Sequence, residues 1–308
     1  MSMRVAIMGV GGVGGYFGGL LAESGADVVF IARGAHLKAL QQDGLSIESN
    51  VRPLKNLPIQ VTDDPASVAP ADLVLLSVKL WDTDSALQQA KPLVKPGGAI
   101  ASLQNGIEAV DKVTAVYGKA ATLGGVAHIA ALIEKPGVIR HNGTMAKVTL
   151  GEVDGGRSAR LDAFAALAEK AKIELALPDN IHRAIWDKFV FLASFSGLTA
   201  LTRSSIGPIL AEPKTRALYI AALEEACAVA RAKGVGLAAD HHERALGPSE
   251  KLPGSMKASM LGDLERGNKL ELPWLSGAVA RLGAELGVPT PTHAFIQAAL
   301  QLAANGRA

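Results

Sequence analysis

Three clusters in this 308-residue chain combine residue types and spacings that chemistry needs. The first is Gly9-Val-Gly11-Gly12-Val-Gly14, with its glycines spaced Gly-x-Gly-x-x-Gly. In such a run Gly9 permits a tight turn, Gly11 lets backbone come close to a pyrophosphate, and Gly14 lets a following helix pack on the preceding strand. The second is Lys188, in Ile181-His-Arg-Ala-Ile-Trp-Asp-Lys188-Phe-Val-Phe-Leu192-Ala-Ser-Phe-Ser196. On a helix it shares a face with Ala184, Ile185, Phe191, Leu192 and Phe195, otherwise apolar and so turned inward. Burying an ammonium is costly unless it is paired or functional, and it lowers the pKa towards values useful for proton transfer. The competing reading is a packed lysine stem with its head in water. The third cluster is Ser255, Ser259 and Asp263, four apart, followed by Glu271. A hydroxyl face near a lysine could hold a substrate carboxylate, although a solvated helix face explains the same stripe.

The glycines sit between the elements their pattern requires. A short apolar run at 4–8 reads as a strand, 16–24 as a helix and 28–32 as a second strand. A helix N-terminus there offers unpaired N–H groups and partial positive charge to phosphates, which points to a dinucleotide. Where an enzyme using NAD places a carboxylate for the ribose 2′-OH, this chain has Arg33, whose guanidinium can bind a 2′-phosphate bidentately. The expected cofactor is therefore NADP(H) rather than NAD(H). His36 and Lys38 could add charge to that pocket, but a solvated helix start is the plainer reading of both. Continuous apolar runs at 72–77, 99–103 and 123–128 read as strands buried on both faces of a doubly wound sheet. Ligands sit outside the carboxyl ends of such strands, and Lys79, Gln104, Asn105 and His128 lie at or just past these ends. Lys95-Pro-Gly-Gly98 reads as a turn, 136–151 as a small antiparallel extension, and 173–176 as a last strand.

Pro178-Asp179-Asn180 marks the expected boundary. The fold class is α/β, with a Rossmann-type doubly wound sheet at 1–179 followed by an all-helical domain at 180–308. Helices are expected at 181–201, 213–233, 249–266, 273–286 and 291–303. Apolar residues form 49% of the chain and the net charge is only +2, so no broad field attracts nucleic acid or an anionic membrane. The seven His lack metal-ligand spacing, and the single Cys227 excludes an internal disulfide and a Cys-based zinc site, so no metal is expected. With no signal-like N-terminus and no apolar stretch long enough to span a bilayer, the expected location is the cytoplasm. A homodimer is compatible with the apolar faces of the helical half, though no single stretch requires one.

Taken together, Gly9-Val-Gly-Gly-Val-Gly14, Arg33, Ser77-Val-Lys79, Gln104-Asn105-Gly106, Arg183-Ala-Ile-Trp186-Asp-Lys188-Phe, and Ser255-Met-x-x-Ser259-Met-x-x-Asp263 followed by Glu271 resemble the ketopantoate reductase family nearly end to end. The resemblance implies a Rossmann-type domain, an all-helical domain and a site in the cleft between them. It also implies reduction of a 2-oxo acid to a 2-hydroxy acid with NADPH. By position, Lys188 resembles the general acid and Asn105 a residue touching both cofactor and substrate. Lys79 resembles the lysine lining the cofactor site, Ser259 the binder of the substrate carboxylate, and Glu271 the acidic residue near the ribose and the catalytic lysine. Gly9, Gly11, Gly12 and Gly14 resemble the cofactor turn.

Two positions depart from that family's pattern. Family members carry Asn one turn and two turns after the lysine, where this chain has Leu192 and Ser196. A site built to bond a hydroxyl discriminates strongly, whereas an apolar one does not. A 2-oxo acid more apolar than ketopantoate is therefore an expected substrate. The alternatives are a β-hydroxyacid or opine-type dehydrogenase on the same architecture, or a non-enzymatic NADP(H) sensor.

Overall fold

Runs of Val, Ile, Leu and Ala that read as buried strands form the middle of a ten-stranded sheet in the computed structural model, which describes residues 3–306. The chain divides into two units, the first ending at Ile181 and the second starting at His182.

In the first unit the order is β1 (Arg4–Met8), α1 (Gly12–Glu23), β2 (Asp27–Ile31), α2 (Gly34–Asp43), β3 (Leu45–Glu48), β4 (Leu54–Leu57), β5 (Gln60–Thr62), β6 (Ala71–Leu76), α3 (Thr83–Gln89), β7 (Val94–Ser102), α4 (Ala109–Tyr117), β8 (Thr122–Lys135), β9 (Val138–Glu152), α5 (Ala159–Lys170) and β10 (Glu174–Ala176). Across the sheet the strands run β4-β3-β9-β8-β7-β6-β1-β2-β5, with β10 paired to β9. Strands β5, β2, β1, β6, β7 and β8 are mutually parallel. After β5 the chain crosses to the other side of β1, so the order reverses between β1 and β6, where a doubly wound sheet binds its ligand.

Alternation along the strands fills both faces. Val5 and Ile7 join Tyr16, Phe17 and Leu20 of α1 in one core, while Ala6 and Met8 join Val74, Leu76 and Leu87 in the other. Helix α1 lies unusually close to the sheet. A Cβ at Gly15 would come 2.7 Å from Ile139, one at Gly18 2.6 Å from Phe30, and one at Gly19 2.9 Å from Leu45. One helix can thus cover β1, β2, β3 and β9 at once.

Three expectations change in this unit. Strand β8 does not end at residue 128 but continues to Lys135, and β9 is a single 15-residue strand antiparallel to it. The extension is thus a long ribbon, and it carries β3 on its far side. Residues 95–98 are not a turn between elements. They bulge out of β7, because Ala71 pairs with Val94 and Leu73 already with Ala99. Gly97 supplies the positive φ of 77° that this bulge needs.

The second unit contains α6 (Ile181–Thr202), α7 (Ile206–Ala211), α8 (Pro213–Ala232), α9 (His241–Glu250), α10 (Ser259–Arg266), α11 (Ser276–Leu286) and α12 (Pro291–Leu300), with no strand among the described residues. The helix expected at 249–266 is broken: α9 ends at Glu250 and α10 starts at Ser259. Pro253 disfavours helix at Leu252 and cannot donate. The freed backbone is used elsewhere, for Gly207 N donates to Gly254 O at 2.8 Å and Ile206 N to Met256 O at 3.0 Å. Contrary to expectation, one helix among the described residues, α6, is long and apolar enough to cross a bilayer by length and composition. Two-thirds (67%) of its most apolar window is buried inside the protein, as in the core helix of a globular unit.

Candidate active site

The glycine turn is built by three strand exits. Gly9 takes φ 103°, and a Cβ there would sit 2.8 Å from both N and Cγ1 of Val78, so only glycine fits between β1 and the exit of β6. Gly9 N donates to Ile31 O at 3.1 Å, Ser77 N to Met8 O at 2.9 Å, and Leu103 N to Leu76 O at 2.9 Å. Gly14 lets α1 rest on this turn, because a Cβ would meet Gly9 O at 2.2 Å. Gly11 is different. It is the N-cap of α1, and a Cβ there would meet only Ser77 O, at 4.0 Å. No side chain caps the helix and no acidic residue lies in its first turn. Open space over uncapped N–H groups fits a pyrophosphate. Gly12 has a second reason to be glycine: a Cβ would lie 2.1 Å from Ala131 O of β8.

Arg33 stands at the end of β2 as the N-cap residue of α2, its side chain 79% exposed. Its Nη2 donates to Asp82 Oδ2 at 2.7 Å. His36 adds no charge beside it, and it is no solvated helix start either. Its Nδ1 accepts from Gly137 N at 3.0 Å, and burial lowers its pKa, so the ring is neutral. Lys38 is exposed.

The other strand-end residues divide. Lys79 follows β6, exposed, with its ammonium 5.6 Å from the centre of the Trp81 ring. Asn105 is half-buried just past β7. Gln104 is buried scaffold: its Nε2 donates to Val78 O and Thr83 Oγ1, each at 2.9 Å, and its Oε1 accepts from Ser102 Oγ at 3.1 Å. It ties the β7 exit to the turn after β6. His128 is not at a strand end at all, since it lies inside β8 opposite Lys147.

In the second unit Lys188 lies on α6, where Ala184, Asp187, Lys188, Phe191 and Leu192 form a half-exposed stripe beside buried Ile185, Trp186, Phe189 and Val190. Phe191 stacks on Phe195, with ring centroids 5.3 Å apart. Burial brings the Lys188 amine down to about 8, and the nearby Glu271 carboxylate opposes that fall. Glu271 is itself buried, at the residue that opens the 3₁₀ turn Leu272–Trp274. The lysine and the acid are thus brought together. Ser255 is exposed in the segment between α9 and α10, and Ser259 is exposed in the first turn of α10. Ser255 thus lies off the helix of Asp263, whereas Ser259 shares a face with it one turn away; Asp263 is buried and accepts from Arg266 at 2.8 Å and Asn268 at 3.1 Å. Ser196 is fully buried, one turn beyond the half-exposed Leu192.

Sequence reasoning missed Asp82. A polar residue after a strand was the available signal, but its partner lies 49 residues away. It also missed Glu225, whose buried carboxylate accepts from Thr292 N at 2.8 Å and His293 N at 2.9 Å, closing the start of α12.

A family model for "Ketopantoate reductase PanE/ApbA" matches residues 5–155, and one for its C-terminal part matches residues 180–304. The 2-dehydropantoate 2-reductase of Mesorhizobium japonicum is 33% identical over 312 residues, covering 94% of this chain and 94% of that protein. An uncharacterized oxidoreductase of Bacillus subtilis, YkpB, is 29% identical over 97% of this chain and 98% of its own length. The crystal structure of a PanE/ApbA family ketopantoate reductase from Ralstonia eutropha JMP134 superposes with a TM-score of 0.89 at 32% identity, covering 98% of each chain.

Proposed function

Because the chain belongs to the ketopantoate reductase family and is an oxidoreductase of the 2-dehydropantoate 2-reductase type, we propose that it reduces a 2-oxo acid with NADPH, using Lys188 as general acid. The observation that carries this is the Lys188 amine, brought to about 8 beside Glu271. At neutral pH such an amine is still charged, yet it gives up its proton far more readily than an ordinary lysine.

The nicotinamide supplies hydride to C2 of the 2-oxo acid when bound. Lys188 donates its proton to the carbonyl oxygen as negative charge develops there, yielding the 2-hydroxy acid and a neutral amine. Glu271 keeps enough positive charge on Lys188 for this transfer and favours reprotonation of the amine from solvent afterwards. Gly9, Gly11, Gly12 and Gly14 supply the turn and the helix N–H groups for the pyrophosphate, and Arg33 supplies charge for a 2′-phosphate. Lys79 and Asn105 act on the cofactor side, and Asn105 and Ser259 on the substrate. Leu192, half-exposed one turn from Lys188, favours a substrate more apolar than ketopantoate.

The test is loss of reduced-nicotinamide absorbance with NADPH or NADH against ketopantoate and a panel of 2-oxo acids with alkyl or aryl side chains. Turnover with NADPH that Lys188→Ala lowers by about 10²–10⁴-fold supports the reading. No turnover with any 2-oxo acid ends it. Preference for NADH ends the assignment of Arg33, and strong preference for ketopantoate ends the apolar-substrate version.

A further inference from the structure

We propose that Asp82 sets how far the protein discriminates NADPH from NADH, its carboxylate opposing a 2′-phosphate and accepting a hydrogen bond from an unphosphorylated ribose. The inference rests on the reading above that Arg33 faces the 2′-phosphate.

Two chemistries normally exclude each other at the end of the second strand of this fold. A carboxylate there accepts from the ribose 2′-OH of NAD, and a guanidinium there pairs with the 2′-phosphate of NADP. This chain has both in one ion pair. Arg33 comes from the end of β2, and Asp82 from the turn that follows β6. Their contact, Arg33 Nη2 to Asp82 Oδ2, is 2.7 Å.

The acid is the fixed member. Asp82 side-chain exposure is 24%, against 79% for Arg33. Its turn is locked from beneath: Asp82 N donates to Lys79 O at 2.9 Å, Thr83 Oγ1 donates to Leu80 O at 2.7 Å, and the buried Gln104 donates to Thr83 Oγ1 at 2.9 Å. Asp82 is also the N-cap residue of α3, where aspartate ordinarily accepts an N–H of its own helix, yet its side chain makes no cap bond. The carboxylate instead reaches across to Arg33, into the space beside the end of β2.

A 2′-phosphate arriving there must share the guanidinium with Asp82. The fork has donors enough for both anions, but one positive charge then faces a carboxylate and a near-dianionic phosphate. A ribose hydroxyl meets no such repulsion and can donate to the carboxylate. The pair therefore narrows the advantage that Arg33 alone would give to NADPH.

The experiment is calorimetric binding of NADP⁺ and NAD⁺, and of 2′-phospho-ADP-ribose and ADP-ribose, to the unmodified protein and to Asp82→Asn, Asp82→Ser and Arg33→Ala. Asp82→Asn keeps the shape and removes the charge, and Asp82→Ser guards against a misplaced amide. Both are expected to tighten the phosphorylated ligands about five- to tenfold, the worth of one nearby like charge at a surface. Binding of the unphosphorylated pair is expected to stay level or weaken. If Arg33→Ala weakens the phosphorylated ligands but neither Asp82 variant changes the ratio between the pairs, or the ratio moves towards NAD⁺, the role of Asp82 is overturned and that of Arg33 stands. If Arg33→Ala leaves the phosphorylated ligands unaffected, the reading of Arg33 falls and this inference falls with it.

Discussion

The Glu271→Gln substitution tests the pairing at the proposed centre most directly. Lys188 sits at about 8 because burial lowers it and the Glu271 carboxylate pulls it back. An opposite charge within a few ångströms moves a pKa by about one to three units, so removing it should bring Lys188 down by about one unit or more. In the direction of reduction the charged amine is required. The rate with the unmodified protein should thus be level at neutral pH and fall through about 8. In Glu271→Gln the fall should begin about one unit lower. In the oxidative direction the neutral amine is required, so the rate should rise through the same window and shift the same way. The assay is kcat/KM for both directions across pH 6–10, with cofactor saturating, so that any weakening of cofactor binding does not enter. An alkaline limb near 10 in the unmodified protein would show an ordinary lysine and refute the argument. A limb unmoved, or moved upward, in Glu271→Gln would show that the two groups do not interact. The same shift has a stability counterpart. A lysine lowered from 10.5 to about 8 corresponds to about 3 kcal/mol at neutral pH. Between about 8 and 10.5 the unfolded chain binds the extra proton, so stability rises with pH across that window.

Lys188→Met should remove that cost and raise the melting temperature at pH 7 while abolishing reduction, and thermal scans alongside turnover check both. Gly12→Ala should destabilise the fold by about 1–3 kcal/mol in denaturant titration, because the new Cβ would fall 2.1 Å from Ala131 O. Leu192→Asn should raise kcat/KM for ketopantoate relative to an unsubstituted alkyl 2-oxo acid by about tenfold, and an unchanged ratio would remove Leu192 from specificity. Burial lowers the His293 pKa, outweighing its bond to Ala222 O and the Glu225 charge. The unfolded chain therefore takes up the proton first, and stability is lost as pH falls below about 6.5, with a shallower slope expected in His293→Gln.

Features enforced by a few adjacent residues are legible in the amino-acid order alone. Gly9 and Gly14 announce a tight turn and a close helix because no other residue tolerates that backbone. Arg33, through its position at a strand end, is the local ground for proposing a phosphate partner. Lys188 stands out because an ammonium on an apolar helical face needs a reason. Glycine sterics, the period of a helix and the cost of burying charge all act within one or two turns of chain, so they are written locally. Tertiary structure decided what distant segments do to one another. It lengthened β8 and put His128 inside a strand, because β9 is there to pair with it. It sent β3 to the far side of β9 and separated Ser255 from the helix of Ser259. It buried Ser196 while leaving Leu192 half-open, set Glu271 beside Lys188, and set Asp82 against Arg33. Strand pairing and charge pairing depend on which segments meet in space, and no local pattern of residues encodes that meeting.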